Sequence, residues 1–121
     1  MSSFKKKIVC NPRFRIKSGE NIALGPGKIS LLEAIERVGS ISGAARELGL
    51  SYKRAWEMVS VTNSCFLSPL VERTAGGVGG GGASLTPLGE EIVELYRSME
   101  RKTGYSVAME WKRILQVMKK E

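Results

Sequence analysis

Hydrogen-bonding and cationic side chains open a short amphipathic segment in the middle of this chain. They are Ser51, Tyr52, Lys53 and Arg54, with Glu57 one helical turn further on. An α-helix fits the major groove of DNA, and the residues at its N-terminal end reach the base edges. Arg54 can donate two hydrogen bonds to guanine, Lys53 can reach guanine or phosphate, and the two hydroxyl groups suit either contact. Glu57 can accept a hydrogen bond from a cytosine amino group, so this segment is predicted to read duplex DNA.

A glycine-tipped hairpin follows at residues 70–86. Its strands are predicted over 70–74 and 83–86, and its tip over 75–82 holds too many glycines to pack against other elements. Bare backbone N–H groups can lie along a phosphate backbone, and the predicted contacts are Arg73, Thr74, Gly77 and Gly79. A nucleotide-binding loop is the competing interpretation. It requires a helix directly after the glycines, and a phosphate loop also requires a lysine there, whereas this segment continues as a strand.

Three helices must position the DNA-reading segment. The first is predicted from about Pro26 to Val38. The second is capped by Ser40 or Ser42, and the third is capped by Ser51 and runs to about Asn63. Gly49 supplies the backbone freedom for the tight turn between the second and third helices.

Apolar residues around this turn are predicted to fill the core. They are Leu48, Leu50, Ala55 and Val59, with the small residues Ala44 and Ala45 where the helices approach each other. Trp56 is also predicted to pack in the core or against a helix, rather than to read a base. Ahead of the helices, residues 13–17 alternate cationic and apolar side chains, which predicts a strand with one buried face.

A long C-terminal helix is predicted from Pro87 to about Lys119, with Thr86 as its cap and a weak point at Gly104. A helix of ~30 residues spans ~45 Å, more than a small domain can cover, so part of its apolar stripe must contact another partner. We expect a homodimer, which would bind an inverted-repeat operator. The predicted dimer contacts are Leu88, Ile92, Leu95, Met99 and Trp111.

Composition excludes several classes of function. The 121 residues carry a formal charge of +7, which attracts polyanions such as nucleic acid. The chain has no histidine and only two cysteines, Cys10 and Cys65, so neither a structural metal site nor a catalytic centre is expected. We expect neither a secretory signal nor a membrane span, since no apolar run approaches ~18 residues. The expectation is a cytoplasmic protein without enzymatic activity, cofactor or membrane partner.

The helix-turn-helix and wing sequences resemble a known family. The string Ser51-Tyr52-Lys53-Arg54-Ala55-Trp56 and the glycine-rich wing up to Gly89 are similar to the N-terminal domain of molybdate-responsive (ModE-type) transcriptional regulators, itself similar to the winged helix-turn-helix of LysR-type regulators. The resemblance covers about residues 13–100. It implies a homodimeric DNA-binding domain with residues 51–54 on the recognition helix. Full-length members carry C-terminal molybdate-binding modules, which this chain is expected to lack.

The sequence thus predicts a mostly α-helical fold with a small β wing (α+β): a winged helix-turn-helix followed by a long dimerisation helix. One domain over 1–121 is expected, with a core over about 13–86 and the long helix over 87–119. The predicted function is a sequence-specific, double-stranded DNA-binding transcriptional regulator, whose effector is sensed directly or by a separate protein. The alternative is a winged-helix adaptor that binds proteins and has no specific DNA binding.

Overall fold

Five helices and two antiparallel strand pairs make up the fold in a computed structural model, which describes residues 7–74 and 81–119. In chain order the elements are β1 (Ile16–Ser18), β2 (Asn21–Leu24), α1 (Pro26–Val38), α2 (Ile41–Leu48), α3 (Tyr52–Ser64), β3 (Val71–Thr74), β4 (Gly82–Leu85), α4 (Pro87–Ser106) and α5 (Ala108–Gln116). The predicted winged helix-turn-helix is confirmed. Its three helices begin and end within a residue or two of the predicted bounds.

Local hydrogen bonds define the start of α2 and the turn between α2 and α3. The Ser40 hydroxyl caps α2 by accepting from the Gly43 amide at 3.0 Å. Gly49 has φ of 71°, a left-handed conformation that a side chain would disfavour. The Leu50 amide then donates to the Ala45 carbonyl at 2.8 Å, which ends α2 and sends Leu50 toward the core.

The core lies between α1, α2, α3 and the root of the wing. Each buried aliphatic side chain contributes about 1.5–3 kcal/mol relative to exposure, so this cluster holds the three helices together. Leu48 was predicted to belong to it, and that prediction is wrong. Leu50 takes the inward position just beyond the helix end, and Leu48 stays exposed. The fully buried members include Ile29, Leu31, Leu32, Ile35 and Leu70.

The leading hairpin differs from its predicted form. The strand predicted over residues 13–17 is only Ile16–Ser18, and all three of its residues are exposed. The hairpin packs through β2 instead, where Ala23 and Leu24 are buried. Phe14 precedes the strand and packs edge-on against Tyr96, with ring centroids 6.3 Å apart. Of the two apolar residues in the 13–17 alternation, Phe14 is partly buried against the core from a loop, and Ile16 is exposed on β1.

Helix α4 is fixed to α1 by charged side chains. Thr86 caps it by accepting from the Gly89 amide at 3.0 Å. Further along, the Arg97 guanidinium donates to both carboxylate oxygens of Glu33, at 2.6 and 3.0 Å, and to Glu100 at 2.7 Å. The hydrogen bonds from Arg97 lower the pKa of Glu33 and hold its carboxylate charged.

The helix predicted over 87–119 is interrupted close to its predicted weak point at Gly104, because α4 ends at Ser106 and α5 begins at Ala108. Between them Val107 has φ of −105° and ψ of 10°. Two features weaken the helix here: the Thr103 hydroxyl donates back to the Met99 carbonyl at 2.8 Å, and Gly104 is a poor helix former. Among residues 7–74 and 81–119, no helix combines the length and the apolar character that crossing a bilayer demands.

Candidate nucleic-acid interface

Helix α3 presents one face to the core and the other to solvent. Its inner face is formed by Ala55, Met58, Val59 and Thr62, all buried. The Thr62 hydroxyl donates to the Ala23 carbonyl at 3.0 Å, which fixes the helix against β2. This anchoring defines which side chains of α3 remain free to meet a ligand.

The exposed face of α3 carries the predicted DNA contacts in a fixed order. Successive residues of an α-helix turn by about 100°, so Tyr52 and Arg54 lie at opposite edges of this face. Trp56, Lys53 and Glu57 lie between them, and all five are exposed. Ser51 is exposed too, but its hydroxyl caps α3 by accepting from the Arg54 amide at 3.0 Å. The predicted residues thus form one continuous surface, with Lys53 near its centre.

A side-chain clamp fixes the wing to the far end of α3. The wing strands pair in register, with Arg73 opposite Ala83 and Thr74 opposite Gly82. At their root, the Asn63 amide oxygen accepts from the backbone amides of Leu70 at 2.8 Å and Val71 at 3.1 Å. The Asn63 amide nitrogen donates to the Val71 carbonyl at 3.0 Å. These three hydrogen bonds tie the root of the wing to α3.

The wing also meets the N-terminal end of α3. The Arg73 guanidinium donates to the Tyr52 hydroxyl at 3.0 Å, and both side chains are exposed. They border a small pocket of about 210 Å³ that Ser42, at the start of α2, and Gly81 also line. Thr74, the next residue of β3, is also exposed. The structure thus places Arg73 of the wing beside Tyr52 of α3, while Gly77 and Gly79 lie outside the described residues.

The opposite edge of α3 faces the leading hairpin across a larger pocket, of about 580 Å³. Arg54 and Glu57 line it from α3, and Lys28 lines it from the first turn of α1. The Lys28 ammonium donates to the Ile22 carbonyl. Partial burial, more than the nearby Arg54 charge, lowers the pKa of Lys28.

Two residues of this surface escaped sequence reasoning. Trp56 was predicted to pack in the core or against a helix, and that prediction is wrong: it lies on the outer face of α3 with 45% of its surface exposed. Hydrophobicity alone suggests burial, whereas its spacing of four residues from Tyr52 places it on the same exposed face of α3. Lys28 lies 26 residues before Arg54 in the chain, so no local pattern links the two. Only the fold brings the two together.

The predicted dimer contacts divide into two groups. Leu88 and Ile92 are partly buried against the chain's own core, and Trp111 is half-buried near Cys10. Leu95 and Met99 are exposed on α4, at 52% and 39%. Within the described ranges, no cluster of cysteine and acidic side chains could hold a metal ion.

Comparison with known proteins finds a matching family and several similar proteins. Residues 27–90, from α1 through the wing to the first turn of α4, match the family described as bacterial regulatory helix-turn-helix protein, lysR family. The chain is 49% identical to the molybdenum-pterin-binding protein MopB of Rhodobacter capsulatus over 77 residues, which are 64% of this chain and 28% of MopB. It is 47% identical to the molybdenum transport protein ModE of Azotobacter vinelandii over 88 residues, which are 73% of this chain and 33% of that protein.

A third relative has a regulatory description. The chain is 43% identical to the DNA-binding transcriptional dual regulator ModE of Escherichia coli K12 over 81 residues, which are 67% of this chain and 31% of that protein. The chain spans about a third of the length of the curated relatives it matches. The predicted resemblance to ModE-type and LysR-type proteins is confirmed.

Proposed function

This chain belongs to the lysR family of bacterial regulatory helix-turn-helix proteins, and we propose that it binds duplex DNA sequence-specifically as a transcriptional regulator. The observation that carries the proposal is the continuous surface of α3 and the wing. Its centre and both its edges are cationic or hydrogen-bonding, and Asn63 and Arg73 hold its two elements together. A preformed surface binds without the cost of ordering two separate elements.

The roles of the residues follow from their positions. Lys53, Trp56 and Glu57 occupy the middle of the exposed face, where a helix in the major groove meets base edges. The Trp56 ring offers an apolar surface for a thymine methyl group. At the wing edge, Arg73 and Tyr52 can bind a phosphate together, because the guanidinium keeps free N–H donors after contacting the tyrosine hydroxyl. Base contacts thus specify the sequence, and phosphate contacts orient the protein.

We further propose a homodimer that pairs α4 with its twin. Leu95 and Met99 form an exposed apolar stripe on α4. The first half of α4 carries acidic residues, including Glu91 and Glu94, and its second half carries the basic residues Arg101 and Lys102. Antiparallel pairing about a two-fold axis would put opposite charges across from each other and bury the stripe. Two recognition helices would then face an inverted repeat.

Selection of bound duplexes from a random library tests the proposed function. The protein is mixed with random double-stranded oligonucleotides, and the retained fraction is sequenced over successive rounds. We expect a motif with two inverted half-sites, and a Lys53→Ala control with a weaker or altered motif. A pool that stays random, while the protein is folded, contradicts specific DNA binding and favours the protein-binding adaptor.

Sedimentation equilibrium tests the dimer separately. The chain has a mass of 13.2 kDa, and we expect about twice that mass at micromolar concentration. Leu95→Glu should give the monomer mass, because it places a charge in the apolar stripe. Leu48→Glu is the matched control, since Leu48 is an exposed leucine on α2. A wild-type monomer contradicts the dimer.

A further inference from the structure

The pocket between the leading hairpin and α3, here called the flank pocket, has a strongly cationic lining. Arg13 and Arg15 line it from the hairpin side, Lys28 from α1, and Arg54 from the edge of α3. Two carboxylates, those of Glu20 and Glu57, also line it. The lining therefore carries a net positive charge, and it is continuous with the proposed DNA-reading surface through Arg54.

Among the described residues, the cationic side chains of the flank pocket form no ion pairs with carboxylates. The ion pairs found among residues 7–74 and 81–119 are Arg37 with Glu47, and Arg97 with Glu33 and Glu100. None involves a cation of the flank pocket, although two carboxylates lie in the same lining. Lys28 is held in place by its bond to the Ile22 carbonyl, and an ammonium group keeps two further donors after one such bond.

Backbone charge adds to the same site. Gly25, Pro26 and Gly27 line the flank pocket at the start of α1. This helix begins without a side-chain cap and without an acidic residue in its first turn. The positive end of its dipole therefore faces the pocket without an acidic side chain in its own first turn, which favours an anion there.

We propose that the flank pocket binds backbone phosphate of the same duplex whose bases meet α3. This inference rests on the proposed function and extends it. The wing lies at the Tyr52 edge of α3 and the flank pocket at the Arg54 edge, so phosphates are bound on both sides of the recognition helix. Arg54 accordingly binds phosphate rather than guanine. Since phosphates carry no sequence information, the flank pocket adds affinity and register but no specificity.

The test replaces the two hairpin arginines. Arg13→Gln with Arg15→Gln removes two exposed positive charges that make no ion pair in the described residues, so the fold should be retained. Lys112→Gln with Arg113→Gln removes the same charge from exposed positions on α5 and is the matched control. Binding of a selected operator and of a scrambled duplex is measured by fluorescence anisotropy at several salt concentrations.

We expect the hairpin variant to bind both duplexes about tenfold more weakly, given ordinary energies for exposed ion pairs. Its log–log salt slope should fall by about 0.9 for each phosphate that the variant no longer neutralises, while the control stays near the wild type. Ethylation interference adds a positional readout. Ethylation of a phosphate weakens binding where the protein contacts that phosphate. The phosphates whose ethylation no longer weakens binding should differ between the hairpin variant and Arg73→Gln.

Three outcomes overturn the proposal. The first is a hairpin variant with wild-type affinity and salt slope. The second is a loss of affinity confined to the operator, which would show base reading. The third combines two results: inorganic phosphate at constant ionic strength stabilises the wild type but not the hairpin variant, and the two proteins bind DNA equally well. The flank pocket would then bind a free anion instead of DNA phosphate. If the wild type binds no DNA at all, the proposed function itself fails, which is a different result.

Discussion

The Arg73 guanidinium on the wing donates a hydrogen bond to the Tyr52 hydroxyl, the first side chain of the recognition helix, at 3.0 Å. The two residues are 21 positions apart in the sequence. Their contact orients a cation at the junction of the wing and α3, where a phosphate bound by either element would lie.

Removing the tyrosine hydroxyl should weaken DNA binding through Arg73. We expect Tyr52→Phe to cost about 0.5–1.5 kcal/mol of operator affinity, the usual net value of one hydrogen bond. In an Arg73→Gln background the same change should cost much less, because no guanidinium remains to be oriented. A double-mutant cycle by fluorescence anisotropy measures the coupling. Costs that add within about 0.3 kcal/mol would show that the contact has no role in binding.

Trp56 should contribute more to DNA affinity than to the stability of the fold. Because 45% of its surface is exposed on the outer face of α3, Trp56→Ala should cost less stability than the ~3–5 kcal/mol typical of truncating a buried tryptophan. Removal of a base-reading side chain should cost about 1–3 kcal/mol of operator affinity. Urea denaturation and anisotropy measure the two quantities, with Trp56→Phe as the conservative control. Strong destabilisation with unchanged affinity would return Trp56 to a packing role.

Asn63 should be the main polar anchor of the wing. Asn63→Ala leaves the amides of Leu70 and Val71 and the Val71 carbonyl without their side-chain partner, which should cost about 1–3 kcal/mol of stability. Ser64→Ala on the same helix turn is the control, since among the described residues the Ser64 hydroxyl donates only to the Val61 carbonyl within α3. Stability is measured by urea denaturation. Equal decreases in the free energy of unfolding for the two variants would show that Asn63 is not the main polar anchor of the wing.

The ion pair between α1 and α4 should make stability depend on acidity. Arg97 lowers the pKa of Glu33 below its ordinary value of 4.5, so the pair stabilises the fold above that pH. Its contribution is lost as the pH falls through the lowered folded pKa. Glu33→Gln should therefore cost about 0.5–1 kcal/mol at pH 7, the range for partly exposed pairs.

The acid dependence separates this effect from simple packing. The difference between Glu33→Gln and the wild type should shrink below pH 4.5, when measured by denaturation across the pH range. Glu36→Gln, at an exposed position of the same helix, is the control. A stability difference that stays constant from neutral pH to well below the Glu33 pKa would contradict the assignment to the ion pair.

Local sequence signals predict the helices well. Proline and glycine bracket α1, so its predicted bounds of Pro26 and Val38 match the observed ones. Ser51 and Thr86 are predictable as caps because hydroxyl side chains at those positions satisfy free amides. Helix α3 and the wing strands also follow from local pattern. The sequence alone therefore places Tyr52, Lys53 and Arg54 in the exposed first turn of α3.

Contacts between distant residues were not predictable from one sequence. Arg97 and Glu33 are 64 positions apart, and nothing in either neighbourhood marks the other as a partner. Lys28 and Arg54 share a pocket only because β2 and α3 pack together. Trp56 and Leu48 show a different limit, since an apolar side chain suggests burial whichever face it occupies. By contrast, the interruption at Val107 lies close to Gly104, where the sequence predicts a weak point in the helix.

Equilibrium titration of a selected operator against its scrambled sequence, at about 0.15 M salt, tests DNA recognition most directly. A specific regulator binds its site typically ~10³-fold or more tightly than random DNA. We expect the wild type to discriminate on this scale, with Lys53→Ala losing about 1–3 kcal/mol on the operator and much of its preference. Equal affinity for the two duplexes, or no binding to either by the folded protein, would contradict sequence-specific DNA recognition.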